Sequence, residues 1–455
     1  MPKSGSKINF EEVLDDLTTL LDQDQLDFVR NILTDMHPAD ISDLMEHISP
    51  EARTKIFRLL SPEVASEVLV ELGDAPKEDL LDELGADQIA KMVNEMDSDD
   101  AAAVVAELSE EKATRVLEGV EAENSEDIQE LLHYPEDTAG GIMAKEYLVV
   151  RADDTVAEAT DELRRQHENV DQVFNCYVVD KENRLVGAVS LKDLLLNPAD
   201  KLMSEIMDRE VISIPSDLDQ EKVANIFQKY DLVAAPVVDA NHRLIGRITI
   251  DDILDVIDEE TDEDLAHIAG TGEEEILEES IFKISRARLP WLILSFVGEI
   301  VSAFILEHFS STINQVVVSA FFIPIVMAMG GSSGQQSSII VVRGLATGEI
   351  HLKDTRRRLW REFRSSLLNA IVIAALIFSV VSLWQHTPDF AGVLSGTLIV
   401  VILNASLFGA IIPIIFKKIN VDPALATGPF VATFNDVFGL LIYFSLLTFS
   451  FHYFL

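Results

Sequence analysis

Cysteine is nearly absent: Cys176 is the one example in 455 residues. A disulfide within the chain is therefore excluded, which fits a reducing compartment. Basic residues are also scarce, with 35 Lys plus Arg against 78 Asp plus Glu and a formal charge of −43. That balance excludes generic nucleic-acid binding through a basic face, and leaves a solvating surface or sites for cations. The opening Met1-Pro2-Lys3-Ser4-Gly5 lacks the apolar core of a signal peptide, so the first apolar span is expected to act as the insertion signal. No Ser-His-Asp set, phosphate loop, zinc-ligand cluster or kinase motif is visible, and the histidines have no metal-ligand spacing. Enzyme activity is not expected.

What is present divides unevenly. Almost all the acids precede Ser280, and the last third is strongly apolar. The length predicts several domains. Over residues 8–132 the pattern is helical. Leu14, Leu17, Leu20 and Leu21 recur at the spacing of one helix face. Ser49-Pro50-Glu51 and Ser61-Pro62-Glu63 read as N-caps with proline in the first turn. Ser98-Asp99-Asp100 and Ser109-Glu110-Glu111 repeat the theme without proline. Apolar pairs follow each start, which predicts short stacked helices, a small α-solenoid. Most of its acids read as a solvated surface, but Asp97, Asp99 and Asp100 are dense enough to share a cation.

Residues 137–258 contain a tandem repeat, about 137–199 and 203–258. Tyr177–Gly187 matches Pro236–Gly246 at a constant offset of 59 residues. In each copy a β-branched strand enters a turn and a second strand leaves through glycine. Val149-Val150 and Val211-Ile212 are expected strands before each copy's amphipathic helix. Ser190 and Asp193 in one copy, and Thr249 and Asp252 in the other, open the following helix as caps. The tandem pattern resembles a CBS pair. The resemblance implies an adenine nucleotide such as ATP in the cleft, with ribose contacts from Ser190, Asp193 and Thr249, beside Asp252.

Residues 251–280 form an acidic connector. Ile253, Leu254, Val256 and Ile257 support a helix. Asp252 and Asp255 share one face, as do Glu260, Glu263 and Asp264 further along. Like charges at that spacing repel by about a few tenths of a kcal/mol per pair. The connector is thus expected to be marginal alone and steadied by a hard divalent cation such as Mg²⁺.

Five apolar spans fill residues 286–455: about Leu289–Phe309, Val316–Val342, Leu367–Leu383, Val393–Phe416 and Pro429–Phe449. Each approaches the roughly 20 residues that cross a bilayer core. Lys and Arg lie before the first span, between the second and third, and between the fourth and fifth. The intervening loops have none. The chain is therefore expected to be a multi-pass protein of the cell membrane, N-terminus cytosolic and C-terminus outside. Within the spans, Gly330–Ser338 is polar and glycine-rich, which requires contact with protein or a water-filled path. Pro324, Pro413 and Pro429 are expected to free backbone carbonyls. Asp436 lies in the last span, where a carboxylate costs roughly 2.5–3.5 kcal/mol on insertion scales unless it meets water, a cation or a partner. Glu299 is a second intramembrane acid, and Asn404 a neutral ligand or helix contact.

This order of parts, with Gly330–Gln336, Val341–Ala346, Asp422-Pro423-Ala424 and Gly428–Thr433 followed by Asp436, resembles the MgtE magnesium channels of prokaryotes. The resemblance implies a multidomain fold: a cytosolic α-solenoid, an α/β CBS pair, a connecting "plug" helix and an all-α membrane domain of five helices. It implies a homodimer embedded in lipid, hydrated Mg²⁺ at Asp436, and closure by Mg²⁺ on a sensor matching Asp252, Asp255, Glu260, Glu263 and Asp264. Two features depart from the family pattern: Ser332 stands where Asn is usual, and Glu299 is outside the motif. The runner-up function is a CBS-regulated transporter exchanging a divalent cation for Na⁺ or H⁺, favoured by Glu299.

Overall fold

The computed structural model describes residues 10–165, 173–271, 280–347, 349–350 and 352–454. The chain forms two compact units, 1–258 and 259–455.

In the first unit, short helices run from Phe10–Asp22 to Ala122–Leu131. Ser49 and Ser61 cap helices as the sequence predicts, whereas Ser98 lies inside its helix behind the N-cap Asp97 with its hydroxyl donating to Glu146 at 2.8 Å, and Ser109 heads its helix without a side-chain cap bond. Ser49 Oγ accepts from the Ala52 N–H at 3.4 Å, and Ser61 Oγ from Val64 at 3.5 Å, each with proline following. Alternate helices pack on one another. They bury Val29, Ile41, Met45, Ile56, Val68 and Leu69 in a stripe that continues into the repeats through Met143 of the first and Ile214 and Val237 of the second. Each repeat builds a three-stranded sheet with a parallel and an antiparallel pair. The matching hairpin turns place Asn183 and His242 at φ +60° and +63°. The second copy's lead strand is Ile214–Pro215, later than Val211-Ile212. Pro215 pairs with Val238, and the Ser216 N–H closes the ladder by donating to the Val238 carbonyl at 3.1 Å.

The connecting helix runs Ile250–Ala269 and turns at Gly270, φ +71°. Its apolar side is buried at Ile253, Val256 and Ala266, which offsets the repulsion along its acidic side. The acids Glu273–Glu279 of the expected connector lie outside the described residues.

The second unit holds five helices long and apolar enough to cross a membrane. They are Ile281–His308, Ile323–Ala346, Thr355–Gln385, Pro388–Lys418 and Gly428–Phe454, called the first to fifth apolar helices below. A 3₁₀ stretch, Val317–Phe322, leads into the second. The prolines differ from expectation. Pro324 and Pro429 sit in the first turns of the second and fifth helices, where no intrahelical N–H partner is lost. Pro413 is interior, as is Pro290 in the first helix. Phe322, Val326, Leu398, Tyr443 and Phe444 form the core. The buried Tyr443 hydroxyl donates to the Ser319 carbonyl at 2.9 Å.

Candidate cation sites

Asp436 is half-buried on the fifth apolar helix, seven residues past Pro429 and so close to two turns from the helix start. One turn earlier, Thr433 fills the space that a side chain at Gly298 would occupy. Glu299, exposed on the first helix, directly follows Gly298 at this close crossing of the first and fifth helices. Two acids on helices that cross this closely within the membrane form an attractive position for a cation. Asn404 is half-buried on the fourth helix, beside Ala405, whose carbonyl faces Gly334.

The glycine-rich segment serves two purposes. Gly330 and Gly334 are buried, and a Cβ at Gly334 would collide with the Asn435 side-chain amide. A Cβ at Gly409 would collide with the Gly334 carbonyl. The second, fourth and fifth helices thus meet at backbone distance, as small residues allow. Gly331 faces open space, and Ser332 and Gln336 are exposed. Asn435, 3% exposed, has an amide nitrogen without a hydrogen-bond partner among the described residues. Nothing in the local sequence marks it, because Asp436 next door carries the obvious signal.

A second group gathers at the end of the connecting helix. Glu263, His267 and Asp422 bring one ligand atom each to within 4.8 Å of one another. His267 Nδ1 is 3.2 Å from Asp422 Oδ2 and 3.9 Å from Glu263 Oε1. This corrects the expectation that no histidine has metal spacing: Glu263 and His267 are four apart on one helix face, a readable signal. Asp422 arrives from the loop between the fourth and fifth helices, and one of its oxygens accepts from the Ala424 N–H at 2.9 Å. Burial pushes the Asp264 carboxyl up, helped by Asp422 and Glu260.

The third group lies in the first unit. Asp97, Asp99 and Asp100 open the helix Ser98–Ala106 and face Asp252 and Asp255 of the connecting helix. Burial pushes Asp99 well up, with Asp100, Asp252 and Asp97 adding to it. Asp100 is raised to about 7, by burial and then by Asp252, Asp97 and Asp255. Asp252 is raised to about 6, mainly by burial. Burial, then Glu71 and Asp251, raise Asp255. Arg247 Nη2 lies 3.8 Å from Asp97 Oδ2, and Lys77 adds a nearby positive charge. Carboxylates so raised are short of cations, and an all-oxygen donor set suits Mg²⁺.

In the repeat, Ser190 Oγ donates to Asp193 Oδ2 at 2.6 Å and accepts from the Asp193 N–H at 3.1 Å. Thr249 Oγ1 donates to Asp252 Oδ2 at 2.8 Å and also bonds Asp251. Ser190 therefore caps its helix, whereas Thr249 also gives its N–H to Asp252 Oδ2 at 2.9 Å, so that Asp252 is tied to the helix start and to the acidic group at once.

The family profile MgtE, described as a divalent cation transporter, matches residues 323–446. The MgtE intracellular N domain matches 36–137, and CBS domains match 139–200 and 203–259. The magnesium transporter MgtE of Bacillus subtilis is 37% identical over 333 residues, 73% of this chain and 74% of that one. That of Thermus thermophilus is 36% identical over 321 residues, 70% of this chain and 71% of that one. A crystal structure described as the cytosolic domain of the Mg²⁺ channel MgtE in complex with ATP is 32% identical. It covers 53% of this chain and 99% of that one, with a TM-score of 0.51.

Proposed function

This chain belongs to the MgtE family of divalent cation transporters, and from that premise we propose a Mg²⁺ channel whose pore acid is Asp436 and whose closure is driven by Mg²⁺ on its acidic cytosolic parts. The observation that carries the pore reading is the half-buried Asp436 carboxylate one turn past the close crossing of Thr433 on Gly298. Mg²⁺ sheds water reluctantly and prefers octahedral oxygen coordination. A carboxylate reached through the hydration shell avoids that cost. Asp436 of two protomers would supply paired acceptors, which is the support for a homodimer set in lipid.

Closure draws on the other two groups. Without Mg²⁺, Asp99, Asp100, Asp252 and Asp255 repel, as do Glu260, Glu263 and Asp264 along their helix. Mg²⁺ bridging them favours the state in which the carboxylates are close, and such differential affinity is what shifts a two-state equilibrium. ATP in the CBS pair, near Ser190, Asp193 and Thr249, would add a second ligand favouring an ordered cytosolic half. The distribution of Lys and Arg supports a cytosolic N-terminus and an outer C-terminus.

The test is Mg²⁺ uptake into liposomes holding an internal Mg²⁺ dye. Wild-type chain is expected to conduct and Asp436→Asn to conduct at least about tenfold less, a difference of about 1.4 kcal/mol or more. Equal uptake by the two ends the pore assignment.

A further inference from the structure

We propose that the polar groove between the second, third and fourth apolar helices binds the phosphate of an anionic phospholipid headgroup. The groove encloses about 320 Å³, and its lining includes Ser333, Ser337, Arg358, Arg361, Glu362 and Asn369. Neither Glu299 nor Asp436 is among the described lining residues.

Charge inside the groove does not balance. Glu362 is held from two sides: Ser337 Oγ donates to Oε1 at 2.6 Å, and Arg358 Nη2 to Oε2 at 3.4 Å. The ion pair is largely withdrawn from solvent, its side chains 16% and 12% exposed. That leaves the Arg358 Nε–H buried with no hydrogen-bond partner among the described residues. Arg361, one turn on, lines the same groove with its guanidinium exposed. The groove lining therefore sets one carboxylate, already paired with Arg358, against two guanidiniums. An oriented N–H and a spare positive charge remain, and a phosphate oxygen answers both.

The surroundings favour a lipid over a soluble phosphate. Trp360 is 61% exposed and stacks on Phe363 at the start of the third helix. Exposed tryptophan at a helix end marks headgroup depth. Past the groove on the same helix, Leu368, Ile371, Val372 and Leu376 are exposed and apolar. A charged mouth running into an apolar helix face fits an amphiphile, with acyl chains along the helix and phosphate at the arginines. Basic pockets between membrane helices take anionic headgroups in this way. The proposal rests on the reading of these helices as membrane-embedded.

The test uses the full chain in nanodiscs of equimolar phosphatidylglycerol and phosphatidylcholine, followed by detergent extraction and native mass spectrometry of retained lipid. Wild type should retain phosphatidylglycerol over phosphatidylcholine by about fivefold, the worth of one uncompensated arginine near the surface. Arg361→Gln, an exposed change that leaves the buried pair intact, should lose that preference, as should Arg358→Gln. A double variant at Arg356 and Arg357, exposed and off the groove, should keep it. Equal retention of the two lipids by wild type, or equal loss in the Arg356/Arg357 variant, overturns the site. Displacement of phosphatidylglycerol by millimolar inorganic phosphate overturns the lipid assignment in favour of a soluble anion. A chain that fails to insert overturns both this proposal and the membrane reading beneath it.

Discussion

Gly428 sits with its backbone against the carbonyl oxygen of Ile268: a Cβ at position 428 would collide with that oxygen and lie 3.3 Å from the carbonyl of His267. The first turn of the fifth apolar helix thus touches the last turn of the connecting helix. Beside it, a Cβ at Gly270 would fall 2.7 Å from Pro429 Cγ. Asp436 is two turns further along the same fifth helix. The connecting helix, with the proposed sensor acids, therefore ends in backbone contact with the helix that carries Asp436, the proposed pore acid, and displacement of one is expected to be felt at the start of the other.

Gly428→Ala should uncouple them. Residue 428 has φ +45°, a region that costs a residue with a Cβ roughly 1–2 kcal/mol, and the new methyl meets the Ile268 carbonyl. The expected outcome is a channel that still conducts but closes weakly as cytosolic Mg²⁺ rises. Flux measured over a series of internal Mg²⁺ concentrations gives the answer. A closing curve identical to wild type would show that this contact does not transmit the signal.

Gly334→Ala should be felt as lost stability more than as altered selectivity. The added methyl would collide with the Asn435 amide and lie 3.1 Å from the Ala405 carbonyl. Overpacking of this kind costs about 1–3 kcal/mol. A lowered unfolding temperature in detergent is expected. Asn435→Ala on the Gly334→Ala background relieves the clash and should recover part of the loss, so additive destabilisation by the two changes would count against the assigned packing.

Much of this was legible in the sequence, for identifiable reasons. The tandem repeat shows because strand, turn and glycine recur at one offset, down to the left-handed turn residues Asn183 and His242. The apolar spans show because the bilayer sets their length. Their exact starts do not all show: Pro324 reads as lying inside the second span, whereas it opens a helix, while Pro429 heads its span in both sequence and structure. The Glu263–His267 pair has a periodic signature, but Asp422 reaches it from a distant loop, and no local pattern announces such a meeting. The unpartnered amide of Asn435 is invisible for the same reason, since only the packing of Gly334 and Gly409 defines its surroundings.

His267→Ala should alter which ions close the channel. Imidazole suits Co²⁺, Ni²⁺ and Zn²⁺, whereas carboxylate oxygens suit Mg²⁺. Loss of a ligand or its support typically costs roughly 10–100-fold in metal affinity. The concentration of Co²⁺ that half-closes the channel should rise about tenfold or more, and that of Mg²⁺ by less. Equal shifts for both ions would mean that His267 only steadies the helix end.

The acidic group of the first unit predicts a pH dependence with a definite sign. Asp100, raised to about 7, and Asp252, raised to about 6, hold protons more tightly in the folded chain than in the unfolded one. Each therefore adds relative stability that is fully present below its ordinary carboxylate value and is lost as pH climbs through its folded value. Without divalent ions, the unfolding temperature of the chain should fall between about pH 4 and pH 7. Mg²⁺ competes with those protons, so its stabilising effect should be small near pH 5 and large near pH 8, and its binding should release protons into the buffer. Calorimetry of Mg²⁺ binding in two buffers of different ionisation enthalpy measures that release near pH 6. In Asp252→Asn the release should shrink, because one titrating site is gone and its repulsion of Asp100 with it. If Mg²⁺ binds with no proton release and equal affinity at pH 5 and pH 8, the ion does not sit among Asp99, Asp100 and Asp252, and the sensor must lie instead along Glu260, Glu263 and Asp264.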